Sequence, residues 1–450
     1  MNTQPIIIVG AGLSGSLLAI RLAQRGFDVK VYERRSDLRT VHVDAGRSIN
    51  LALSARGLRA LKQAGIQDEI LKECIPMRGR MIHPLGGEEF LSSYSGRQDE
   101  YINSVSRPGL NKALLEVADR YDNVEFIFDC KVTGVDLEKA AITFEKDGNQ
   151  ATATGQIVIG TDGAGSVVRR SMMSKTTKLL FNYSQDFLRH GYKELSILPA
   201  DGGDWKIHKE ALHIWPRGEF MIIALPNLDG SFTLTMFHPY EGEAGFNTLN
   251  TPGKVEAFFE KYYPSLIPHI PHYKEEYFEN PVGTLGTIKC YPWQAYGKTL
   301  IMGDAAHAIV PFYGQGMNAS LEDVRVFDNL IEAYGDNWES VFDSFQDERK
   351  ENADAIADLA IDNFYEMRDR VDDQDFMRKR KIEKQLEQEF PKYYSKYSLV
   401  TFRPDLTYRH AMIQGRAQDE KLLEMVMQEN YEDLELKDYY ERLKVFSVRL

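Results

Sequence analysis

The chain has 450 residues and a mass of 51.4 kDa, which is about three times the usual domain length of roughly 150 residues, so we expect two or three packed units. Its 43% hydrophobic, 11% aromatic and 27% charged residues are typical of a globular protein with a large core and exclude a disordered chain. Fifty-four Lys and Arg against 67 Asp and Glu give a net charge of −13, which would repel a phosphate backbone, so no nucleic-acid partner is expected.

The cysteines and the apolar segments indicate the cellular compartment in which the protein acts. Cys74, Cys130 and Cys290 are far apart and odd in number, so they form neither a disulfide framework nor a metal-ligand cluster, and no metal is expected. The first apolar run, residues 6–9, is too short for a signal peptide, and no segment approaches the roughly 18 apolar residues of a membrane span. We therefore expect a cytoplasmic protein without a membrane anchor.

The first 33 residues predict a βαβ unit. Residues 5–9 form an apolar strand, residues 10–15 a glycine turn, and the following apolar residues recur at helical spacing until Gly26 ends the helix. Residues 28–33 alternate as a second strand. Because the two strands are joined through a helix, the sheet that contains them must be parallel.

Three further regions complete the predicted order. Strands that run into glycine turns recur at 156–165 and 299–304. Between them, residues 220–225 and 231–237, with a turn at 227–230, predict a separate antiparallel sheet. From about residue 320 the pattern is helical, and the charge run at 366–389 is interpreted as a solvated helix face.

The first glycine turn predicts a dinucleotide site. Glycines are needed there for the tight turn, for the approach of a pyrophosphate and for helix packing, and the helix N-terminus adds free N–H groups. The predicted contacts in the turn are Gly10, Gly12, Leu13, Ser14 and Gly15. Glu33 ends the second strand, where a carboxylate accepts ribose hydroxyls, and it disfavours a 2′-phosphate, although Arg34 and Arg35 keep that possibility open. This turn alone does not distinguish NAD from FAD.

The two later turns favour a flavin. Asp304 follows a strand at the sheet edge where ligands bind in α/β proteins, and its carboxylate could hold a polyol. The glycine turn at 311–319 opens another helix at Gly316, Met317 and Asn318, whose N–H groups could face a ring that becomes anionic on reduction. An isoalloxazine ring has that property.

These motifs resemble those of a known family. Residues 10–15 with Glu33, residues 159–164 and residues 303–307 are similar, in order and spacing, to the three motifs of the single-component FAD aromatic hydroxylases. The resemblance implies that Gly303 and Asp304 contact FAD and that Asp162 serves both the flavin and the nicotinamide. It also implies NADPH as co-substrate.

More particular segments resemble the branch of this family that hydroxylates kynurenine. They are residues 46–54, 76–83, 104–107, 286–293 and 357–363. The resemblance implies that the substrate carboxylate is held by Arg80, Tyr94, Asn363 and Tyr397. It further implies that Ala52, Arg107 and Val132 line the FAD, and that Pro311 and Phe312 lie between the flavin and the substrate. Eukaryotic members carry an apolar C-terminal anchor, whereas residues 422–426 give only a short amphipathic stripe, so a soluble, bacterial-type form is expected.

The chemistry of kynurenine requires such a site independently. An amino acid with an aniline ring needs a guanidinium for its carboxylate and an apolar slot for its ring. Arg78 and Arg80 both flank Gly79, and the pattern alone does not choose between them. Four residues with period-two spacing form either a pocket wall or ordinary sheet core, namely Ile223, Leu225, Thr235 and Phe237.

We therefore predict an α/β fold in three parts. A Rossmann-like FAD-binding domain with a parallel sheet comprises residues 1–75, 105–180 and 285–335. An inserted substrate domain, mainly antiparallel sheet, comprises residues 76–104 and 181–284, and a helical segment comprises residues 336–450.

The predicted reaction converts L-kynurenine to 3-hydroxykynurenine with FAD, NADPH and dioxygen, through a flavin hydroperoxide. No protein residue is assigned as catalytic because the chemistry belongs to the cofactor, and His307 is interpreted as structural. A related hydroxylase of a phenolic or anthranilate-like acid, and a non-catalytic flavoprotein, are the alternatives.

Overall fold

The fold is known from a computed structural model, which describes residues 4–40, 50–369, 374–428, 431 and 434–446, and which leaves the side chains of residues 367–369 undescribed. Residues 46–49 of the predicted segment 46–54 lie outside the described residues.

The described strands and helices follow one another along the whole chain. The strands are β1 Ile6–Val9, β2 Val29–Tyr32, β3 Asn50–Leu53, β4 Cys74–Met77, β5 Gly79–Ile82, β6 Phe90–Ser93, β7 Ile102–Ser106, β8 Val124–Ile127, β9 Lys131–Asp136, β10 Ala141–Lys146, β11 Asn149–Thr154, β12 Val158–Gly160, β13 Asn182–Ile197, β14 Ala211–Arg217, β15 Phe220–Pro226, β16 Phe232–Pro239, β17 Gly283–Tyr291, β18 Gln294–Ala295 and β19 Thr299–Ile301. The helices are α1 Leu13–Gln24, α2 Ala55–Gln63, α3 Gln67–Ile70, α4 Arg107–Ala118, α5 Val167–Met173, α6 Thr176–Leu179, α7 Pro252–Tyr262, α8 Tyr273–Glu279, α9 Asp304–His307, α10 Gly316–Tyr334, α11 Trp338–Asp369, α12 Gln374–Glu389, α13 Lys396–Phe402, α14 Tyr408–Val426 and α15 Leu436–Leu443.

The predicted βαβ unit forms the centre of a mainly parallel sheet. Among the described residues this sheet has the strand order β18-β19-β12-β1-β2-β8, and only β18 runs antiparallel to its neighbour. All four residues of β1 are buried, as expected for a strand covered on both faces by helices. Because β1, β12 and β19 are adjacent, the three glycine turns that follow them come together at one edge of the sheet.

The predicted antiparallel sheet is confirmed, and it is larger than the sequence indicates. In the described chain its order is β17-β13-β16-β15-β14-β5-β6. Strands β15 and β16 form the expected hairpin, closed by a turn in which Gly230 N donates to Asn227 O over 3.2 Å. One pair in this sheet, β14 with β5, is parallel, and β5 comes from a distant part of the chain.

Two smaller sheets connect these layers, with orders β3-β7-β4 and β11-β10-β9 in the described residues. The domain boundary expected at residue 285 falls within β17, which pairs with β13 along the edge of the large sheet. The division into domains otherwise stays a prediction.

The helical C-terminal segment is confirmed, but its charge run is not a solvated face throughout. On α12, Lys379, Glu383 and Glu387 are buried at 3–4% exposure. Lys379 pairs with Glu383 at 3.2 Å and with Asp419 of α14 at 2.8 Å. The expectation is wrong for this face because α12 packs against α14 and α15, so its charges are paired inside the protein.

Candidate active site

The glycine turn between β1 and α1 forms an open cradle. Gly10 has φ +101°, which favours glycine, and a Cβ atom at Gly15 would lie 2.0 Å from the Gly10 carbonyl oxygen. At Gly12, by contrast, no described atom lies within 4 Å of the corresponding position. Gly12 is the N-cap of α1 and brings no side-chain acceptor to the first N–H groups of the helix, which include Leu13 and Ser14. The cradle therefore fits a pyrophosphate.

Glu33 lies beside this cradle at the end of β2. Its Oε2 accepts from Ala11 N at 2.8 Å, and its Oε1 accepts from the backbone N and the Nε of Arg35, each at 2.9 Å. Burial would raise the pKa of Glu33, but Arg35 outweighs it and lowers that pKa below its usual value. Arg34 and Arg35 are themselves exposed. An ionised carboxylate thus stands where the ribose contact was predicted, and that role stays a prediction.

The third motif is anchored by a residue that the sequence analysis missed. Asp323 of α10 accepts from Gly303 N at 2.9 Å and from His307 Nε2 at 2.5 Å through Oδ2, and from Arg349 Nε at 2.7 Å through Oδ1. Burial would raise the pKa of Asp323, but His307 and Arg349 hold it at about 2. His307 is therefore held by a buried hydrogen bond to this carboxylate. Asp304 begins α9 directly after Gly303 and is half-buried.

The turn before α10 is fixed by an amide. The predicted contacts at the start of α10 are Gly316, Met317 and Asn318. Asn318 Oδ1 accepts from Ser54 N at 2.9 Å, and Nδ2 donates to Ala52 O at 2.8 Å and to Gly314 O at 2.9 Å. This side chain fastens β3 and Ala52 to the turn, so a contact of Asn318 with FAD is left to its backbone.

The carboxylate of Asp162 already has protein partners. Asp162 follows β12, and it accepts from Ser166 Oγ at 2.5 Å and from Val167 N at 2.6 Å at the start of α5. Burial raises its pKa against these bonds. A helix-capping role therefore accompanies the predicted contact with flavin and nicotinamide, which stays a prediction.

The two remaining predicted FAD-lining residues lie in different environments. Arg107 is exposed and is the first residue of α4, directly after β7. Val132 on β9 is buried in the same apolar core as the parallel sheet. Their contacts with FAD stay predictions.

Arg80, Tyr94 and Tyr397 form one cluster, although they are far apart in the sequence. The guanidinium carbon of Arg80 lies 5.0 Å from the ring centroid of Tyr94 and 4.5 Å from that of Tyr397. The two rings stack at 5.8 Å with an interplanar angle of 12°. Within the described part of the chain, no acceptor is found for the Arg80 guanidinium, and the buried Tyr94 hydroxyl has no hydrogen-bond partner. The cluster thus contains a guanidinium and, on a ring that it contacts, a buried hydroxyl without a hydrogen-bond partner.

A second cation adds to this positive region. Ser92 of β6 lies opposite Arg80 in the sheet register and accepts from Lys384 Nζ at 2.9 Å. Burial, and then the nearby Arg380 and Arg80, lower the pKa of Lys384. Such a region is suited to a carboxylate ligand. Arg78, the other arginine beside Gly79, instead forms an exposed ion pair with Glu210 at 3.1 Å.

Asn363 is connected to the Arg80 cluster through the turn Pro311–Tyr313. Its Nδ2 donates to Phe312 O at 2.6 Å. Phe312 belongs to the single turn Pro311–Tyr313, and Tyr313 stacks on Tyr397 at 5.6 Å. Asn363 and Arg80 therefore lie on one continuous line of contacts that passes through the turn.

The four residues with period-two spacing lie between the tyrosines and this turn. Ile223 and Thr235 are directly opposite in the register of β15 and β16. Leu225 packs in the same cluster as Tyr94, and Phe237 lies 5.0 Å from the Phe312 ring centroid. These side chains lie between the Arg80 cluster and the turn Pro311–Tyr313, and their role as a pocket wall stays a prediction.

Buried charged residues are what the sequence analysis missed. Arg56 has no exposed area, donates to Val400 O of α13 at 2.6 Å and pairs with Glu322 of α10 at 3.3 Å. Glu387 of α12 is equally hidden. Sequence spacing does not single out Glu387, because the apolar residues Ile382, Leu386 and Phe390 recur every four residues one position away from it.

The comparisons with known proteins agree with this geometry. Residues 3–181 and 284–360 match the family model described as FAD binding domain. The chain is 48% identical to the kynurenine 3-monooxygenase of Myxococcus xanthus (strain DK1622), over 92% of this chain and 89% of that protein. It is 44% identical to the kynurenine 3-monooxygenase of Dictyostelium discoideum, over 94% and 93%. A tetrameric form of 2-methyl-3-hydroxypyridine-5-carboxylic acid oxygenase is similar in structure, with a TM-score of 0.66, 20% identity and coverage of 82% and 94%.

The fold and the three glycine turns define an FAD-dependent aromatic monooxygenase, and the cofactor is FAD. The identities over nearly the whole length go further: the chain belongs to the kynurenine 3-monooxygenase family. Both expectations of the sequence analysis are confirmed. Across the described ranges, no helix combines the length and apolar character needed to cross a bilayer.

Proposed function

We propose that this protein hydroxylates L-kynurenine to 3-hydroxykynurenine, with FAD as cofactor and with NADPH and dioxygen as co-substrates. The relatives with 48% and 44% identity that carry this activity in their names support the reaction. One observation supports the substrate most directly. The Arg80 guanidinium lies against both tyrosine rings, and the described chain provides no anion for it.

In this proposal Arg80 binds the substrate carboxylate as a fork, and the Tyr94 hydroxyl donates a further hydrogen bond. Burial raises the pKa of Tyr94 well above its ordinary value, so its hydroxyl keeps its proton and acts as a donor. Asn363 and Tyr397 complete the polar end. A bidentate guanidinium pair also fixes the direction in which the rest of the ligand lies.

The aniline ring then lies along the apolar surface of Ile223, Leu225 and Phe237, next to Pro311 and Phe312. These side chains orient the ring and exclude water from it. When bound, the flavin supplies the electron transfer and the activation of oxygen. Because the amine of the substrate donates electron density to its ring, no protein base is required, and His307 is committed to Asp323.

The buried, unpaired thiols of Cys74, Cys130 and Cys290 support a reducing compartment such as the cytoplasm as the place of action. The oligomeric state is left open in this proposal.

The test is to add L-kynurenine to the purified flavin-loaded protein with NADPH in air and to identify the product by mass and retention time. We expect a product that is heavier than kynurenine by one oxygen atom, about 16 mass units, and that has the retention time of 3-hydroxykynurenine. Phenolic and anthranilate-like acids serve as the comparison panel. Faster NADPH oxidation with one of these acids and none with kynurenine would overturn the proposal.

A further inference from the structure

Glu387 lies between the two chain segments that carry the tyrosines of the Arg80 cluster. Its Oε2 accepts from Gly96 N at 2.9 Å, and its Oε1 accepts from Ser395 N at 2.8 Å. Gly96 comes two residues after Tyr94, and Ser395 comes two residues before Tyr397. One carboxylate thus connects both tyrosine segments to α12.

The bridge is buried and closely fitted. The side chain of Glu387 is 1% exposed. A Cβ atom at Gly96 would lie 2.6 Å from Lys384 O and 2.8 Å from Gln388 N, so the backbone at Gly96 touches α12 directly. A buried N–H that loses its acceptor costs roughly 1–3 kcal/mol, so both segments are held to this carboxylate.

The surrounding contacts strengthen the same junction. Arg97 donates to Tyr393 O at 2.5 Å and to Pro391 O at 3.2 Å, and its guanidinium carbon lies 4.0 Å from the Tyr394 ring centroid. Ser395 is the N-cap of α13 and accepts from Ser398 N at 3.3 Å. The start of the helix that carries Tyr397 is therefore fixed by Glu387 from outside and by Ser395 from within.

We propose that Glu387 is a positioning residue, which sets the spacing of the Tyr94 and Tyr397 rings around Arg80 and thereby the affinity for the amino-acid end of the substrate. It acts through the two backbone segments and touches neither substrate nor flavin. The inference rests on the proposed function, because it requires that kynurenine binds at Arg80.

The informative variant is Glu387→Gln, which keeps the shape of the side chain and retains one acceptor oxygen. Its amide NH₂ would face one of the two backbone N–H groups, donor against donor, so one of the two links is lost. We expect the Kd and KM for L-kynurenine to rise roughly tenfold, which corresponds to the lower part of the range for one charge-assisted hydrogen bond. The flavin content should stay that of the unmodified protein.

Two comparisons separate positioning from a general structural defect. The first comparison ligand is 2-aminoacetophenone, which has the aniline ring and the ketone of kynurenine but no amino-acid end. Its Kd should change less than twofold in Glu387→Gln, which is about 0.4 kcal/mol, because Glu387 positions only the residues at the polar end. In an Arg80→Ala background, Glu387→Gln should add less than twofold to the loss of kynurenine affinity. Equal weakening of both ligands, or full additivity with Arg80→Ala, would overturn the inference.

Controls keep the result interpretable. Glu389→Gln makes the same charge change at an exposed position of α12 and should leave the kynurenine Kd unchanged. If Glu387→Gln does not fold, Glu387→Asp answers the same question, since its shorter carboxylate is expected to weaken binding with the same ligand dependence. If the unmodified protein does not bind kynurenine, the proposed function fails. If it binds kynurenine and Glu387→Gln binds equally well, only the role of Glu387 fails.

Discussion

Replacing Arg80 by alanine tests the substrate end of the site most directly. The variant removes the guanidinium that lies against both Tyr94 and Tyr397. A charge-assisted hydrogen bond contributes about 1.5–3 kcal/mol, and 1.4 kcal/mol is a factor of ten in affinity, so kynurenine should bind about 10- to 100-fold more weakly. The cation–π contacts with the two rings are present with and without substrate, so their loss lowers the stability of the free protein rather than the affinity.

The assay is a titration of the flavin absorbance with L-kynurenine, together with the KM for substrate-stimulated NADPH oxidation. Flavin content should be unchanged, because Arg80 lies on β5, away from the three glycine turns. Arg80→Lys should give an intermediate affinity, since it keeps the charge and loses the fork. Arg78→Ala, which removes the exposed neighbour paired with Glu210, is the matched control and should bind normally. An unchanged Kd in Arg80→Ala would refute the assignment of the carboxylate site.

Three further predictions concern the cofactor, the pH dependence of stability and the buried charges. Asp304→Ala should be purified with little flavin, measured as the ratio of absorbance at about 450 nm to that at about 280 nm. A full flavin complement in this variant would contradict the predicted contact of the third motif with FAD. His213 accepts from His83 at Nδ1 over 2.9 Å and donates to His208 O from Nε2 over 2.8 Å, as a neutral ring. Burial lowers the pKa of His213 from 6.5 to about 4, so on acidification the unfolded chain is protonated before the folded protein. The free energy of unfolding should therefore be highest above pH 6.5 and should fall by roughly 3 kcal/mol as the pH is lowered from 6.5 to about 4. Urea unfolding across this range should show the loss, and a His213→Asn variant with an equally steep pH dependence would contradict it. Arg56→Met removes a buried partner of Glu322 and should lower the free energy of unfolding by about 3–5 kcal/mol, whereas Arg59→Met at an exposed position of the same helix should change it little.

The glycine turns can be predicted from the amino-acid order alone, because they depend on local chemistry. Gly10 needs its positive φ and Gly15 its missing side chain within one short turn, and residues a few positions apart decide both. The alternation on β15 and β16 likewise fixes which of their residues share a face. The order of strands and turns was therefore readable from the chain, and with it the place where three glycine turns meet.

Which polar residues come together around Arg80 depends on tertiary packing. Arg78 and Arg80 are equivalent in a pattern, and they differ only because one pairs with Glu210 at the surface while the other lies against two tyrosine rings. The resemblance to a family implies Arg80, and the contact of Arg80 with Tyr397 of α13 is consistent with that prediction.

The charge run on α12 shows the same limit most clearly. Charged residues in a helix are usually solvated, and whether Lys379 and Glu383 are buried depends on which helix lies against them, here α14 with Asp419. A sequence states the charges but not their burial, because it is the packing of α14 against α12 that brings Asp419 to Lys379 from a distant part of the chain. The glycine turns are fixed within the local sequence, whereas the Arg80 cluster and the bridge at Glu387 exist only once β5, α12 and α13 have packed together.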